Sequence, residues 1–550
     1  MISPRERRAF KYSKYFWILS IASICSFVYS WRVSMQVSAD TESPFCSLPP
    51  DPALSWLPVT PEPNETIVPS PRPTSDCQFY RPAWQRFLVA TQPTNGLPAF
   101  LRYPSFSDVF ATTQLSKEKP EVQAEPNLEL FPRNVQRPND PNPAEQKLLD
   151  NTQAGVNGAQ GGYLIDQHGR FVYYAININP AFLQFLRNQN LRSVSGIQRV
   201  DTNLTVLGGK TGDGGKPDNS DILAGINTNI VEYKSAWMIV DKAHPPSNYF
   251  VVSAHVPHFI VSGNSLIQEK KSGVPKTDEV KVALLALHVV FTLPGHPEMI
   301  WSTFEHVHKT VKGEVVRDNA PAASDNPGFA DPNQPVTTED FPFPLYKSHT
   351  LLKEANQLPQ NQLSSIIQAW DENSQSFTKG GTIVQTSVYR PYPGSKTNGS
   401  KNPSDPEDRK EDDEITTINL RAISMFDDAK SRHVIGDNDQ RQNYQLVGAI
   451  WLDQPMSGAT PFFTLGKKFN IGLSQSTDDP TSAIAGEGRL GSTAMESFTE
   501  SEDLAPNCFS CHDTREIRGP NNAIVMGPTR LNVSHLLSKY LISQLPSPSK

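Results

Sequence analysis

Two cysteines and a histidine near the C-terminus have the residue types and the spacing of a reactive site. Cys508, Cys511 and His512 form the pattern C-x-x-C-H. In this pattern, two thiols can add to the two vinyl groups of one porphyrin, and the adjacent histidine can bind the iron. The chemistry predicts one covalent haem c, with Cys508 and Cys511 as attachment residues and His512 as the proximal iron ligand.

Other uses of the same cysteine pair stay open. A structural zinc site needs four ligands, whereas the two cysteines supply half of that set, His535 is the nearest histidine after His512, and the chain contains no second cysteine pair. A redox dithiol does not need the adjacent histidine and suits a thioredoxin-like βαβ context that the sequence does not indicate. We therefore favour haem attachment over zinc, a dithiol or disulfide, and a chance match.

The residue opposite His512 on the iron decides what such a haem could do. A methionine there raises the reduction potential, whereas an open position lets a small molecule bind. Met526, in the loop after the motif, is the favoured distal ligand, and Met495, before the motif, is the alternative. A histidine such as His535 or His306, or no ligand, stays open, because most methionines only fill the core.

A second group of histidines predicts another possible site. Imidazole and carboxylate groups from adjacent strands suit a second metal site or a proton-transfer site. The best catalytic candidates are Glu305 and His306. Histidines that alternate along a strand can also share one face without any metal, and a structural role is the commoner one. The histidines of this group are His255, His258, His288, His296, His306 and His308.

The N-terminal segment predicts export. Five basic residues precede an apolar run at 15–31, as in the charged and hydrophobic regions of a signal peptide. The run has about 17 residues, near the lower limit for spanning a bilayer. Residues 1–39 are therefore predicted to be a signal peptide or an uncleaved anchor. The bulk of the chain is expected in the periplasm, with possible attachment to the cytoplasmic membrane through residues 15–31.

The charge of the chain argues against one class of partner, and the cysteine count leaves two alternatives for the thiols. The net charge of -7 and the pI near 6.0 argue against nucleic acid as a partner, because no strong basic field is available for phosphates. Cys46 and Cys77 are predicted either to form a disulfide in an oxidising compartment or to be two free thiols.

The chain is predicted to have an α+β fold with a β-rich N-terminal and central body and a small C-terminal α-helical unit for the c-type haem. Residues 40–76 are rich in proline and read as a linker. The body covers 77–485, with exposed insertions at 312–344 and 393–414, and the haem unit covers 486–550.

Hydrophobic periodicity predicts the main elements. Helices are expected at 77–90, 180–189, 491–502 and 534–544. Strands are expected at 162–166 and 171–176, which form a hairpin, and at 236–240, 249–256, 280–291 and 443–451. A buried helix is the alternative for 280–291.

Five sequence blocks resemble those of a known family. They are residues 83–88, 162–166, 232–237, 301–307 and 507–512, spread over most of the chain. Together they resemble large exported bacterial mono-haem proteins of the cytochrome c family. The resemblance implies haem binding and electron transfer and says little about a substrate. The acidic insertion and the long proline-rich linker depart from the family pattern.

Two functions from different classes follow from these observations. The favoured one is an exported electron carrier that exchanges electrons with an unidentified redox partner protein. The alternative is a haem-dependent periplasmic oxidoreductase whose large body binds a small substrate beside Glu305 and His306. The size of the body favours an enzyme, whereas the lack of a second cofactor motif favours a carrier. A haem-based gas sensor is the third possibility.

Overall fold

The computed structural model of the chain describes residues 76–94, 96–110, 172–200, 204, 230–262, 265–293, 296–309, 315–316, 369–371, 376–378, 413–452, 484–486, 494–495, 512, 517–518 and 524–544. The predicted export segment, the linker up to residue 75, Cys46, both haem-attachment cysteines and the predicted strand at 162–166 lie outside these residues. Among the helices described, none is long and apolar enough to cross a membrane.

The central element is a seven-stranded antiparallel sheet. Its strands, numbered in chain order, are β1 (Val172–Ile178), β2 (Val231–Val240), β3 (Val251–Pro257), β4 (Thr277–Leu293), β5 (His296–His306), β6 (Tyr444–Leu452) and β7 (Ile484–Gly486). The order across the sheet is β7-β6-β5-β4-β2-β1, and β3 pairs with the first half of β4. β4 is long enough to join three neighbours, because its residues 281–291 pair with β2 on one edge while β3 and β5 share the other.

The helices among the described residues are α1 (Cys77–Thr91), α2 (Phe106–Phe110), α3 (Pro180–Asn188), α4 (Val194–Ile197), α5 (Asp413–Ser431) and α6 (His535–Ser543). α1 and α5 cover one face of the sheet, which we call the helix face. On the helix face, the Phe87 ring of α1 stacks on Phe304 of β5 at 4.2 Å. Asn419 of α5 accepts a hydrogen bond from the Trp84 indole and donates one to the Leu446 carbonyl, which ties α1 and α5 to β6.

The opposite face of the sheet packs against α3 and the C-terminal segment, and we call it the His512 face. Asn179 caps α3 by accepting from the Phe182 amide, and Pro180 fits the first helical turn. The Asn179 side chain also accepts from the Val231 amide at the start of β2. A 3-10 turn, Arg530–Val533, leads into α6, whose Tyr540 ring stacks on Phe110 at 4.1 Å. The C-terminal segment is therefore packed into the same core as the sheet.

The described residues also form several short antiparallel ladders outside the central sheet. They pair Pro93–Thr94 with Leu97–Pro98, Phe259–Ser262 with Ser265–Gln268, Lys270–Lys271 with Val274–Pro275, His308–Lys309 with Val315–Val316, Ala369–Asp371 with Ser376–Thr378, and Ile517–Arg518 with Ile524–Met526. The other 3-10 turns are Ala99–Arg102 and Gln440–Asn443. The ladders within 259–262, 265–271 and 274–275 thus form a β arm between β3 and β4.

The helices and strands agree with an α+β fold. The predicted helices at 77–90, 180–189 and 534–544 are confirmed within a few residues, as are the strands that became β1, β3, β4 and β6. The strand predicted at 236–240 is the second half of β2, which begins at Val231. The alternative of a buried helix at 280–291 is wrong, because this run is the central strand and is buried on both faces. The described residues do not show a separate C-terminal helical unit for a haem, and that part of the fold stays a prediction.

Three observations concern the limits of predicted segments, and the domain limits themselves stay predictions. The insertion at 393–414 ends in α5, where Glu414 accepts a hydrogen bond from the Cys77 amide at 3.0 Å. Val315–Val316, inside the predicted insertion 312–344, pairs as a strand with His308–Lys309. Ala494 and Met495 form a buried turn, whereas a helix was predicted there. The Tyr174 hydroxyl of β1 donates to the Ala494 carbonyl at 2.8 Å, which joins this turn to the sheet.

Candidate functional site

His512 is a buried histidine held by the segment before α6. Its Nδ1–H donates to the Val533 carbonyl oxygen at 2.8 Å. A carbonyl oxygen can only accept, so this bond fixes the proton on Nδ1 and leaves the lone pair of the neutral ring on Nε2. Histidines that bind metals through one nitrogen usually donate from the other in this way. The tautomer of His512 therefore fits the role of an iron ligand.

Two aromatic rings enclose the His512 imidazole. The His535 ring stacks on it at 3.7 Å with an interplanar angle of 17°, and the Trp301 ring of β5 lies 4.1 Å away. Burial is the main cause that holds the pKa of His512 well below its usual value, and the neighbouring His535 adds to it. A low pKa keeps the ring neutral at physiological pH, which is the form that binds a metal.

Both predicted distal methionines belong to the hydrophobic cluster on the His512 face. Met526 is buried in the last described strand before α6, and Met495 is buried in the turn that Tyr174 holds on β1. The same cluster contains Trp301 and two further buried methionines, Met238 and Met299, and the Met299 backbone has a φ of 70°. Sequence reasoning did not single out Met238 or Met299. The choice of distal ligand stays a prediction.

Two histidines that were weighed as distal ligands do not fit that role. A distal ligand has to approach the iron from the side opposite His512. His535 instead stacks face to face on the His512 ring. His306 lies on the helix face, where its ring stacks on Tyr249 at 3.5 Å and its Nε2 is 3.1 Å from the Asn248 carbonyl oxygen. The His535 and His306 alternatives are corrected accordingly.

Glu305 and His306 do not form one site. They are consecutive residues of β5, so their side chains point to opposite faces of the sheet. Trp301, two strand repeats before Glu305, contacts His512, which puts Glu305 on the His512 face. His306 packs between Tyr249 and Tyr444 on the other face. The prediction that these two residues act together is wrong for this geometric reason.

The other histidines of the predicted group are spread across the sheet. His258, at the base of the β arm, is within 2.8 Å of Asp278 and 3.4 Å of Glu269. His296 lies edge-on to Phe79, and His255 is half-buried on β3. The side chain of His308 lies outside the described residues. Within the described part of the chain, no group of three His, Cys, Asp or Glu side chains is arranged to hold a metal ion.

Instead, the His512 face carries a buried row of polar residues that sequence reasoning did not assemble. Lys234 of β2 is opposite His288 of β4, and His288 is opposite Thr303 of β5. The His288 Nδ1 and the Thr303 hydroxyl are 2.8 Å apart. Glu232 precedes Lys234 by two residues on the same face. All four side chains are buried.

Glu232 joins this row to the segment that holds His512. The Ser534 hydroxyl donates to its carboxyl at 2.7 Å. Burial raises the pKa of Glu232, while the Ser534 hydrogen bond and the Lys234 charge act in the opposite direction. Glu232 and Lys234 alternate within a mostly apolar strand, and this alternation was the signal that could have identified them. Their pairing with His288 depends on strand contacts distant in sequence.

The covalent part of the predicted site is not described, because Cys508 and Cys511 lie outside the described residues. Cys77 is disulfide-bonded, so its alternative as a free thiol is wrong. The other four cysteines of the chain lie outside the described residues, and Cys46 stays the predicted partner.

Comparisons with known proteins show no family for this chain. No protein-family model, no curated protein and no solved structure matches it. The resemblance to mono-haem cytochromes c therefore stays a prediction.

Proposed function

We propose that this chain is an exported c-type cytochrome that works in electron transfer. Cys508 and Cys511 would attach one haem c, and His512 would bind its iron. The observation that supports the proposal most is the C-x-x-C-H pattern together with the Nδ1–H to Val533 bond, which presents His512 in the tautomer a metal requires. A bound haem c would supply an iron that accepts and releases one electron.

The residues of the chain would set the environment for that iron. The Val533 carbonyl keeps the His512 proton on Nδ1, and Trp301 and His535 pack on the ring. A methionine from the surrounding cluster, Met526 or Met495, would complete the ligand set and raise the potential. An unidentified redox protein in the periplasm is the proposed partner, and residues 15–31 are the proposed route to the membrane.

A second function is supported by the buried polar row. Ionisable side chains enclosed beside a candidate iron ligand are typical of sites that transfer protons during catalysis. Glu232, Lys234 and His288 form such a group on the His512 face. The alternative is therefore a haem-dependent oxidoreductase in which these residues, rather than Glu305 with His306, handle protons.

Absorption spectra of the exported, purified protein in both oxidation states, with and without carbon monoxide, test the proposal. A carrier with a methionine on the iron is expected to leave the reduced spectrum unchanged when CO is added. Ready CO binding would favour the oxidoreductase. A protein without haem absorption would contradict both. A Cys508→Ala and Cys511→Ala double variant from the same host is the matched control and is expected to lack covalent haem.

A further inference from the structure

One short segment connects the candidate iron ligand to a buried carboxyl group on the sheet. The Val533 carbonyl oxygen accepts a hydrogen bond from the Nδ1–H of His512 at 2.8 Å. The next residue, Ser534, donates its hydroxyl to Glu232 at 2.7 Å and accepts from the Leu536 amide at 3.3 Å. Because Val533 and Ser534 share a peptide bond, the Glu232 contact restricts the carbonyl to which His512 donates.

The surroundings of this link are closed to water. Val533 is fully buried, Ser534 is 2% exposed and Glu232 is 8% exposed. A carboxyl group in such a place is costly unless hydrogen bonds compensate for the lost hydration. β2 is a central strand held by β1 and β4 on either side, so Glu232 is a rigid anchor for the segment.

We propose that Glu232 is a positioning residue for His512, acting through Ser534 to fix the carbonyl that accepts the Nδ1–H bond. This inference rests on the proposed function, since it concerns the ligand of the proposed haem. A well-oriented acceptor makes the imidazole a stronger donor to iron and favours the ferric state. A loose acceptor weakens that donation, and the reduction potential rises.

The first experiment measures the midpoint potential of the haem-loaded full chain in three variants. Glu232→Ala removes the acceptor and Ser534→Ala removes the donor. Each is expected to raise the equilibrium constant for reduction by about tenfold, which equals a rise of about 59 mV for a one-electron couple. Glu232→Gln retains an oxygen that can accept from Ser534 and is expected to stay within about twofold of the wild type.

Asn419→Ala provides the matched control. Asn419 is also buried and hydrogen-bonded, but it lies on the helix face, where it binds Trp84 and Leu446. Its loss should destabilise the fold and leave the potential unchanged. If Asn419→Ala raises the potential as much as Ser534→Ala, or if Glu232→Gln shifts it as much as Glu232→Ala, the positioning role is overturned.

A second readout does not depend on haem. In haem-free full-length chain with ¹⁵N-labelled histidine, the His512 resonances, assigned with His512→Gln, should show the Nδ1–H tautomer in the wild type and in Glu232→Gln. Ser534→Ala and Glu232→Ala should shift the ring toward the Nε2–H tautomer. Unchanged tautomers in both alanine variants would overturn the inference. If the exported chain carries no haem, the proposed function fails, and the NMR result alone decides the Glu232 role.

Discussion

Two ionisable residues, Glu232 and Lys234, lie on the buried face of β2, among apolar side chains and next to the polar pair His288 and Thr303. Their neighbours on that face include Ile176 and Val290, and the C-terminal segment covers them. Burying ionisable groups in this position lowers stability unless they have partners. Their place beside His512 indicates that the cost is linked to a site rather than to the fold.

Glu232 gives a prediction for the pH dependence of stability. Its pKa is raised above 4.5 in the folded chain, so the folded state binds more protons than the unfolded state once the pH exceeds that value. Its contribution to stability is complete below pH 4.5 and is lost as the pH rises toward the folded-state pKa. The unfolding free energy should fall by up to about 1.4 kcal/mol per pH unit relative to Glu232→Gln.

Denaturant titrations of the wild type and Glu232→Gln at several pH values from 4 to about 8 check this expectation. Because only the difference between the two proteins is used, the other titrating groups cancel. Parallel stability curves over the whole range would contradict the raised pKa.

Leucine substitution distinguishes the two predicted distal methionines. Met526→Leu and Met495→Leu keep the apolar volume and remove the thioether. Replacing the true ligand should open the iron to CO, whereas replacing the other methionine should leave the reduced spectrum unchanged. CO difference spectra of the two variants, compared with the wild type, make the assignment. If neither variant gains CO binding, a methionine ligand is excluded at both positions.

At the scale of elements, local patterns predicted most strands and failed where long-range packing decides. β4 was ambiguous because it is apolar on both sides, and only its position between β2, β3 and β5 makes it a strand. α5 was missed, although Ile415, Ile418, Ala422 and Met425 follow a helical period, because the acidic insertion before it obscured its start.

The candidate site, too, could be predicted from the sequence only where its residues lie close together in the chain. The C-x-x-C-H pattern identified His512 from adjacent residues. Met495 and Met526 were recognised because they lie near this motif in the sequence. Glu232 and His288 are 56 residues apart in the sequence and approach each other only because β2 pairs with β4. No local pattern carries that pairing, so the polar row could not be assembled from the sequence.

α5 offers a matched pair of substitutions that tests its orientation. Ile418 is fully buried against the sheet, whereas Leu420 is 58% exposed. Ile418→Ala is expected to lower the unfolding free energy by about 2–5 kcal/mol, because it removes buried methyl groups and leaves a cavity. Leu420→Ala should change it by less than about 0.5 kcal/mol. Equal losses in urea titrations would contradict the packing of α5.

At the scale of the whole molecule, the C-terminal segment and the sheet share one hydrophobic core. Trp301 of β5 contacts His512, Tyr174 of β1 binds the Ala494 carbonyl, and Phe110 stacks on Tyr540. His512, the proposed iron ligand, therefore packs in the same core as the sheet.

Shared packing predicts coincident unfolding. In guanidinium titrations of the haem-loaded chain, haem absorption near His512 and far-UV circular dichroism of the sheet should change with the same midpoint. Loss of haem absorption at a lower denaturant concentration, with the sheet intact, would show an independent C-terminal unit and contradict the common core.

The most direct test of the central claim is the intact mass of the full chain, exported from a bacterial host that attaches c-type haem. We expect the polypeptide mass plus one haem, and that increment should disappear in the Cys508→Ala and Cys511→Ala double variant. An unmodified chain mass, or zinc in place of iron on elemental analysis, would contradict the account.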